Sequence, residues 1–140
     1  MKKCLIPIQI GYIFVADQRL WIPDRNLYTY PDVMVVSRPL QRQHGRTDTI
    51  ANPLMIAEVL SKSTKSYDRD EKFAAYRTIP TFQEYLLVDQ YIPHVEQYIK
   101  TDSRKWTFIE YEDMEAYISL SSITCGICLG DLYAGVEFEL

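Results

Sequence analysis

The 140-residue sequence lacks several features that would indicate a function directly. No apolar stretch reaches the roughly 18 residues of a membrane-spanning helix, so no membrane protein of that kind is predicted. Lysine and arginine number 15 against 19 aspartates and glutamates, and the net charge of −4 argues against a uniformly basic DNA-binding surface. A local basic groove stays compatible with that total, because phosphate contacts depend on where the charges lie.

Cysteine is also scarce. Three cysteines do not make a disulfide framework, and reduced thiols in the cytoplasm are the simplest interpretation. Cys125 and Cys128 form a CxxC pair, but zinc requires a second pair of ligands and neither histidine is suitably spaced. We therefore interpret both cysteines as small core residues. The sequence has no glycine-rich phosphate loop and no Ser-His-Asp arrangement.

What the sequence does contain is enough apolar material for a core. Hydrophobic residues make up 47% and charged residues 24%, which suits a single folded domain over residues 1–140. Eleven tyrosines favour a sheet-rich protein. The N-terminal "MKKCLIPIQIGYIFVADQ" is similar to a signal peptide, but Pro7, Gln9 and Gly11 interrupt it, so a strand entering a sheet is the better interpretation.

The order of predicted elements indicates an α/β or α+β fold with a mixed sheet. "YIFVADQRLWIP" and "NLYTYPDVMVVS" are strand-like and form a predicted hairpin around Asp24-Arg25-Asn26. "PLMIAEVLS" is apolar on both faces except at Glu58, as in a central strand. A helix is predicted from about Arg69, capped by Asp68. Further predicted strands are "EYLLVDQ", "HVEQYIK", "KWTFIEYE" and "YISLSS", and "LGDLYAGV" predicts a short final helix.

Two carboxylates do not fit an ordinary core. Glu58 interrupts a buried strand, where an ionised carboxylate costs several kcal/mol unless it is paired or binds a cation. Asp32 follows Pro31 and opens "VMVV", at a predicted strand end. A buried ion pair for Glu58 and a plain strand-end aspartate at Asp32 are the simpler alternatives. If the two strands pair, the carboxylates can converge, and oxygen ligands of this kind suit Mg²⁺.

Lys72 is the third candidate. It shares a face of the predicted helix with Tyr76, and if that face packs on the Glu58 strand, its ammonium can reach the same cleft. There it could position water or neutralise charge on a phosphoryl transition state. A solvated helix lysine is the simpler alternative.

Two polar loops carry positive charge on either side of the Glu58 strand. Arg38, Arg42 and Arg46 precede the strand, and Lys62 and Lys65 follow it. We expect both loops to flank the cleft and to supply phosphate contacts, although two solvated loops are an equal alternative.

Three segments, "YPDVMVVS", "NPLMIAEVLSKST" and "YDRDEKFAAYRTIPTFQEYLLVDQ", occur in this order with family-like spacing. Together they closely resemble the Uma2 family, which is common in cyanobacteria, is described as a family of restriction endonucleases and belongs to the PD-(D/E)xK nuclease superfamily. The resemblance runs from about Ile13 to Val136. It implies a restriction-endonuclease-like fold, in which a mixed central sheet is flanked by helices.

The resemblance also implies roles for residues at matching positions. Asp32 and Glu58 correspond to Mg²⁺ ligands, and the carbonyl of Val59 to a further ligand. The lysine that usually lies two residues after the glutamate is replaced here by Leu60, and the resemblance implies that Lys72 takes over its role. Asp89 matches a typical family residue and is expected, with Tyr76, to be accessory.

Members of the family usually carry a further N-terminal segment with a "YELIDGE"-like hairpin, and this chain is expected to be truncated at that point. The leading hypothesis is a Mg²⁺-dependent DNA endonuclease that hydrolyses phosphodiester bonds, with a homodimer expected because two-fold dimers are the commonest assembly. The alternative is a catalytically inactive remnant that binds nucleic acid or associates with itself.

Overall fold

A six-stranded mixed sheet forms the centre of the computed structural model, which describes residues 11–138. The strands are β1 (Gly11–Val15), β2 (Arg19–Ile22), β3 (Leu27–Thr29), β4 (Val33–Ser37), β5 (Thr49–Ile50), β6 (Pro53–Leu60), β7 (Glu84–Asp89), β8 (Val95–Asp102), β9 (Lys105–Tyr111), β10 (Tyr117–Leu120) and β11 (Cys125–Cys128). The large sheet has the order β1-β4-β6-β7-β8-β9, with β6 and β7 parallel and the other neighbours antiparallel.

Helical structure is short and falls mainly in one segment. α1 (Lys65–Tyr67), a π-helical stretch (Asp68–Lys72) and α2 (Phe73–Tyr76) follow each other without a break, and we call them together the helical segment. A single 3₁₀ turn covers Pro23–Arg25, and α3 (Leu129–Leu132) lies near the C-terminal end. This sheet with few helices agrees with the expected α+β class.

The helical segment and the two small strands β2 and β3 pack on one face of the sheet, here called the helix face. Alternation along β6 places Ile56, Glu58 and Leu60 on this face. A cluster of aromatic side chains fills the space beneath the helical segment. The centroid of the Phe73 ring lies 5.0 Å from the centroid of the Tyr85 ring and 4.6 Å from that of the Tyr98 ring. This aromatic core positions the helical segment over β6.

The opposite face of the sheet is covered by the β10–β11 hairpin and α3, and Met55, Leu86 and Val95 lie in its core. Glu84, fully buried at the start of β7, anchors the β10–β11 hairpin to the sheet. Its carboxylate accepts hydrogen bonds from the backbone N–H groups of Ser121 (2.9 Å) and Ser122 (2.8 Å) and from the amide of Gln97 (2.6 Å). A buried carboxylate is thereby satisfied without a cation.

The predicted N-terminal hairpin is present but divided between two sheets. The turn at Pro23–Arg25, closed by Asn26 in the left-handed region (φ 47°), joins β2 and β3 as expected. The outer halves separate as β1 and β4 and pair in the large sheet. The chain bends at Ala16, which also has positive φ (44°), and proline at position 31 separates β3 from β4. The expectation of two continuous strands was therefore wrong.

The helix boundary also differs from the prediction. The helical segment begins at Lys65 rather than near Arg69, so Asp68 lies inside it and makes no cap. The capping pattern was misleading because Asp68 is buried and its carboxylate contacts Lys72 instead. The segment ends at Tyr76, before Pro80.

The CxxC stretch forms β11, which was not predicted. Cys125 packs against the core on the face of the sheet opposite to the helix face, but it is disulfide-bonded. Cys128 carries a free thiol. The interpretation of the cysteines as reduced thiols is therefore wrong for Cys125. The first part of the N-terminal run lies outside the described residues. Within residues 11–138, none of the helices has the length and apolar character needed to cross a membrane.

Candidate functional site

Asp32 and Glu58 lie side by side on the helix face. Val33 on β4 pairs with Ala57 on β6, so Asp32 and Glu58 are opposite each other one residue further along. The backbone N–H of Asp32 donates to Glu58 Oε1 (2.8 Å), and the backbone N–H of Val59 donates to Asp32 Oδ2 (2.7 Å). These two hydrogen bonds join the start of β4 to the end of β6 and place both carboxylates at one edge of the core.

Glu58 is 1% exposed and is surrounded by donors. Besides Asp32 N–H, the hydroxyl of Tyr76 donates to Oε2 (3.0 Å), and Lys72 Nζ lies 2.5 Å from the same oxygen. Burial raises the pKa of Glu58 above its ordinary value, although Lys72 opposes this. Because all three contacts are donors, the geometry suits an ionised carboxylate, which only accepts.

Lys72 reaches Glu58 because Phe73 and Tyr76 anchor the helical segment in the core. Its side chain is 16% exposed, and its ammonium also lies 3.3 Å from Asp68 Oδ1. Burial alone lowers the pKa of Lys72, but the Glu58 and Asp68 carboxylates outweigh it, so the pKa is raised and the ammonium stays charged. The three side chains that the sequence singled out, Asp32, Glu58 and Lys72, are thus brought together.

Two members of this group were missed from sequence. Asp68 is 4% exposed and faces Lys72 from the same helical segment. The spacing of four residues between them was the available signal, but the helix was predicted to start too late for its use. Thr29 is the other: its hydroxyl is hydrogen-bonded to the Tyr76 hydroxyl (3.2 Å), and no sequence pattern marks it.

Asp89 occupies a different position. At the end of β7 its Oδ1 accepts from the backbone N–H groups of Tyr91 (2.8 Å) and Ile92 (3.2 Å), and its Oδ2 lies 3.1 Å from Lys65 Nζ. These bonds hold the turn after β7 and lower the pKa of Asp89, although burial opposes them. None of the bonds described for Asp89 within residues 11–138 involves Asp32, Glu58 or Lys72.

The basic residues divide into two groups. Lys62 and Lys65 follow the end of β6, where Lys62 Nζ lies 5.2 Å from the centroid of the Tyr91 ring and Lys65 pairs with Asp89. The loop of Arg38, Arg42 and Arg46 leaves the other end of β4, whose five residues span about 17 Å. The loop then returns beside β2, since β5 pairs with β2, and phosphate contacts by either loop stay a prediction.

The arginines are also engaged locally. Arg38 stacks on the ring of Tyr12 at 4.7 Å, and Arg42 donates to the carbonyl of Thr47 (3.1 Å). Arg46 pairs with Asp48 (3.1 Å), which lowers the pKa of Asp48 to about 2.

The residues present fit a divalent cation. Asp32 and Glu58 offer oxygen donors on adjacent strands, and within the described part of the chain Asp32 Oδ1 makes no hydrogen bond or ion pair. Glu58 and Asp68 share the Lys72 ammonium, and Asp32 adjoins Glu58, so the three carboxylates outnumber the one ammonium of the cluster. Hard oxygen ligands and surplus negative charge are what Mg²⁺ requires.

A separate cavity of about 590 Å³ lies on the opposite face of the sheet. Its walls are mostly aliphatic side chains, among them Ile13, Val35, Val59 and Ile118. Glu58 and Lys72 are not among its lining residues, so this groove is distinct from the carboxylate cluster.

The fold defines the class of protein. A solved structure described as "a putative nuclease belonging to DUF820" from Anabaena variabilis superposes with a TM-score of 0.69 at 18% identity. The alignment covers 91% of this chain and 70% of that one. The chain therefore has the same mixed-sheet fold as that protein.

The sequence comparisons identify the family. Residues 4–130 match the Uma2 model, described as "Putative restriction endonuclease", and the chain belongs to this family. Two Synechocystis proteins are similar: uncharacterized protein sll1609 is 44% identical over 121 residues, and uncharacterized protein slr1290 is 34% identical over 123. The alignments cover 84% and 88% of this chain and 68% and 63% of those proteins, so the chain spans about two thirds of their length.

Proposed function

We propose that this chain is a Mg²⁺-dependent DNA endonuclease that hydrolyses phosphodiester bonds at the Asp32–Glu58–Lys72 cluster. The observation that carries the proposal is the meeting of Glu58 with Lys72, at 2.5 Å, beside Asp32 at the edge of the core. A buried glutamate with a buried lysine could be a purely structural pair. The exposed position of Asp32, with one oxygen uncommitted among residues 11–138, supports a site that is open to a ligand.

Each residue has a proposed role. Asp32 and Glu58, with the carbonyl of Val59, would hold the cation. When bound, Mg²⁺ would supply positive charge against the phosphate and lower the pKa of a coordinated water. Lys72 would present its ammonium to the scissile phosphate or its attacking water. Tyr76 fixes the orientation of Glu58, and Lys62 would contact the phosphate backbone next to the site.

The test is cleavage of supercoiled plasmid DNA with Mg²⁺ by the purified chain and by Asp32→Asn and Glu58→Gln. Both variants keep the side-chain shape and are expected to lose at least 100-fold in rate, on the order of one ligand's contribution to transition-state charge stabilisation. Matched controls are Asp48→Asn and Glu110→Gln, which make the same changes at exposed positions outside the cluster. Unchanged cleavage in Asp32→Asn and Glu58→Gln would refute the assignment. A parallel reaction with RNA defines the substrate.

A second candidate function is a non-catalytic unit that binds nucleic acid or a second copy of itself. The open apolar groove on the opposite face favours it, because large apolar surfaces often mark sites of association. Under this alternative the chain would show no Mg²⁺-dependent turnover, and Asp32→Asn would bind DNA as well as the parent or better. Light scattering would then report a dimer that Ile13→Asp, at an exposed position lining the groove, dissociates.

A further inference from the structure

Asp68 is a buried carboxylate that the proposed chemistry does not use. It is 4% exposed, and Lys72 Nζ, at 3.3 Å, is its ion-pair partner among the described residues. Its backbone carbonyl accepts from Tyr85 OH (2.8 Å), which fixes this point of the helical segment against β7. Burying a carboxylate costs several kcal/mol, so its retention beside Lys72 calls for a physical reason.

Lys72 therefore lies between two carboxylates on different elements. Glu58 projects from β6 in the sheet, whereas Asp68 belongs to the same helical segment as Lys72 and stays beside it. An ammonium has three N–H donors and no acceptor, so it can bond to both at once or shift from one to the other. The π-helical geometry of Asp68–Lys72, rare in proteins and frequent at functional sites, is the local setting of this arrangement.

A divalent cation and Lys72 must compete for Glu58. Both are positive and both require Glu58 oxygens, so a cation bound there repels the ammonium. An ammonium displaced into the apolar core without a partner would cost several kcal/mol. This unfavourable displacement would weaken binding of the cation unless another buried anion paired with the Lys72 ammonium.

We propose that Asp68 is that receiver: it is a positioning residue that takes over the Lys72 ammonium when a divalent cation occupies Glu58. It thereby sets the affinity of the site for the cation and keeps the charged lysine at the edge of the pocket. This inference rests on the proposed function, because it requires a cation at Glu58. A purely structural role for Asp68 makes a different prediction, in which its removal changes stability and leaves cation affinity unaltered.

The test is a double-mutant cycle read out as Mn²⁺ affinity by isothermal titration calorimetry, without nucleic acid. The proteins are the parent, Asp68→Asn, Lys72→Met and the double variant. Asp68→Asn is expected to weaken Mn²⁺ binding about tenfold, within the 5- to 150-fold range of ordinary coupling between sites. Lys72→Met is expected to bind at least as tightly as the parent, because the competing ammonium is gone. Asp68→Asn in the Lys72→Met background should change affinity less than about twofold.

The outcomes separate this inference from the proposed function. Equal affinity of Asp68→Asn and the parent would overturn the inference alone, as would an equal loss in both backgrounds, which would mean that Asp68 acts through its own charge. Absence of Mn²⁺ binding by the parent, or binding that Asp32→Asn leaves intact, would overturn the proposed function as well.

A second measurement needs no variant and so stays decisive if Asp68→Asn does not fold. In a crystal structure of the parent with Mn²⁺, Lys72 Nζ is expected at hydrogen-bond distance, about 3 Å, from Asp68 and no longer against Glu58. Lys72 still bonded to Glu58 Oε2 with the cation in place would overturn the inference.

Discussion

Lys72 Nζ lies 2.5 Å from Glu58 Oε2, although the two residues belong to a helical segment and to a central strand that meet only in the folded chain. The contact is buried, with side-chain exposures of 16% and 1%. Removing one partner of such a pair leaves the other charge without compensation in a low-dielectric environment. The pair therefore dominates both the stability and the proposed chemistry of this edge of the sheet.

Lys72→Met should destabilise the protein by about 3 kcal/mol, because both Glu58 and Asp68 lose their cation while remaining buried. Urea unfolding at neutral pH measures the change. Lys65→Met is the matched control: its side chain is 45% exposed and its partner Asp89 keeps two backbone donors, so a loss below about 1 kcal/mol is expected. Equal losses in the two variants would contradict the structure.

Tyr76→Phe should lower the free energy of unfolding by about 1–3 kcal/mol while keeping the ring in the core. The buried hydroxyl donates to Glu58 and bonds Thr29, and both lose this partner. Tyr28→Phe removes an exposed hydroxyl bonded to Gln43 and is expected to be nearly neutral. Urea unfolding midpoints of Tyr76→Phe and Tyr28→Phe, each compared with the parent, measure the two changes in stability.

Acid should destabilise the protein through Asp89 and Glu96. Although burial opposes the shift, backbone N–H groups and Lys65 lower the pKa of Asp89, and Arg69 and Tyr98 lower that of Glu96. The ordinary values are 3.8 and 4.5, so their stabilisation is complete above those values and is lost as the pH falls through the lower folded-state pKa values.

The corresponding measurement is the free energy of unfolding from about pH 7 to about pH 2. Glu96→Gln should flatten the acid limb, because the variant has one carboxylate fewer to protonate. If the free energy of unfolding falls as steeply with decreasing pH in Glu96→Gln as in the parent, Glu96 does not contribute to the acid destabilisation.

Glu84→Gln should cost about 2 kcal/mol and leave any nuclease activity unchanged. Its carboxylate accepts from Ser121 and Ser122 N–H groups and from Gln97, and a glutamine NH₂ would oppose one of these donors. Thermal unfolding and plasmid cleavage are measured on the same preparation. A loss of activity without loss of stability would implicate this end of β7 in the site.

Lys62→Ala should weaken DNA binding and reduce the slope of log affinity against log salt concentration by about 0.9, the value for one phosphate contact. Lys62 lies just beyond β6, the strand that carries Glu58. Lys105→Ala, an exposed lysine at the start of β9, is the control and should leave the slope unchanged. Fluorescence anisotropy at several salt concentrations gives both values, and equal slopes for Lys62→Ala and the parent would remove Lys62 from the interface.

Much of the fold was accessible from local patterns. The central strand around Glu58, which is apolar on both faces, the apolar run of β7 and the turn at Asp24-Arg25-Asn26 were predicted correctly, because strand patterns and turn chemistry act over a few residues. The division of the N-terminal hairpin and the start of the helical segment were not. The division of the hairpin depends on which sheet each half-strand joins, and the start of the helical segment depends on the burial of Asp68. Neither is encoded by the residues that are neighbours in sequence.

The sequence by itself determined that Glu58 interrupts an apolar run, since a charge in such a run is visible in one dimension, and it marked Asp32 and Lys72 as candidates. Only the tertiary structure decided that β4 and β6 are adjacent with Asp32 and Glu58 on one face, and that Asp68 shares Lys72. It also showed that the loop of Arg38, Arg42 and Arg46 begins at the end of β4 opposite to Asp32. The physical reason is that strand pairing and helix docking are set by long-range burial of side chains, which brings together residues far apart along the chain.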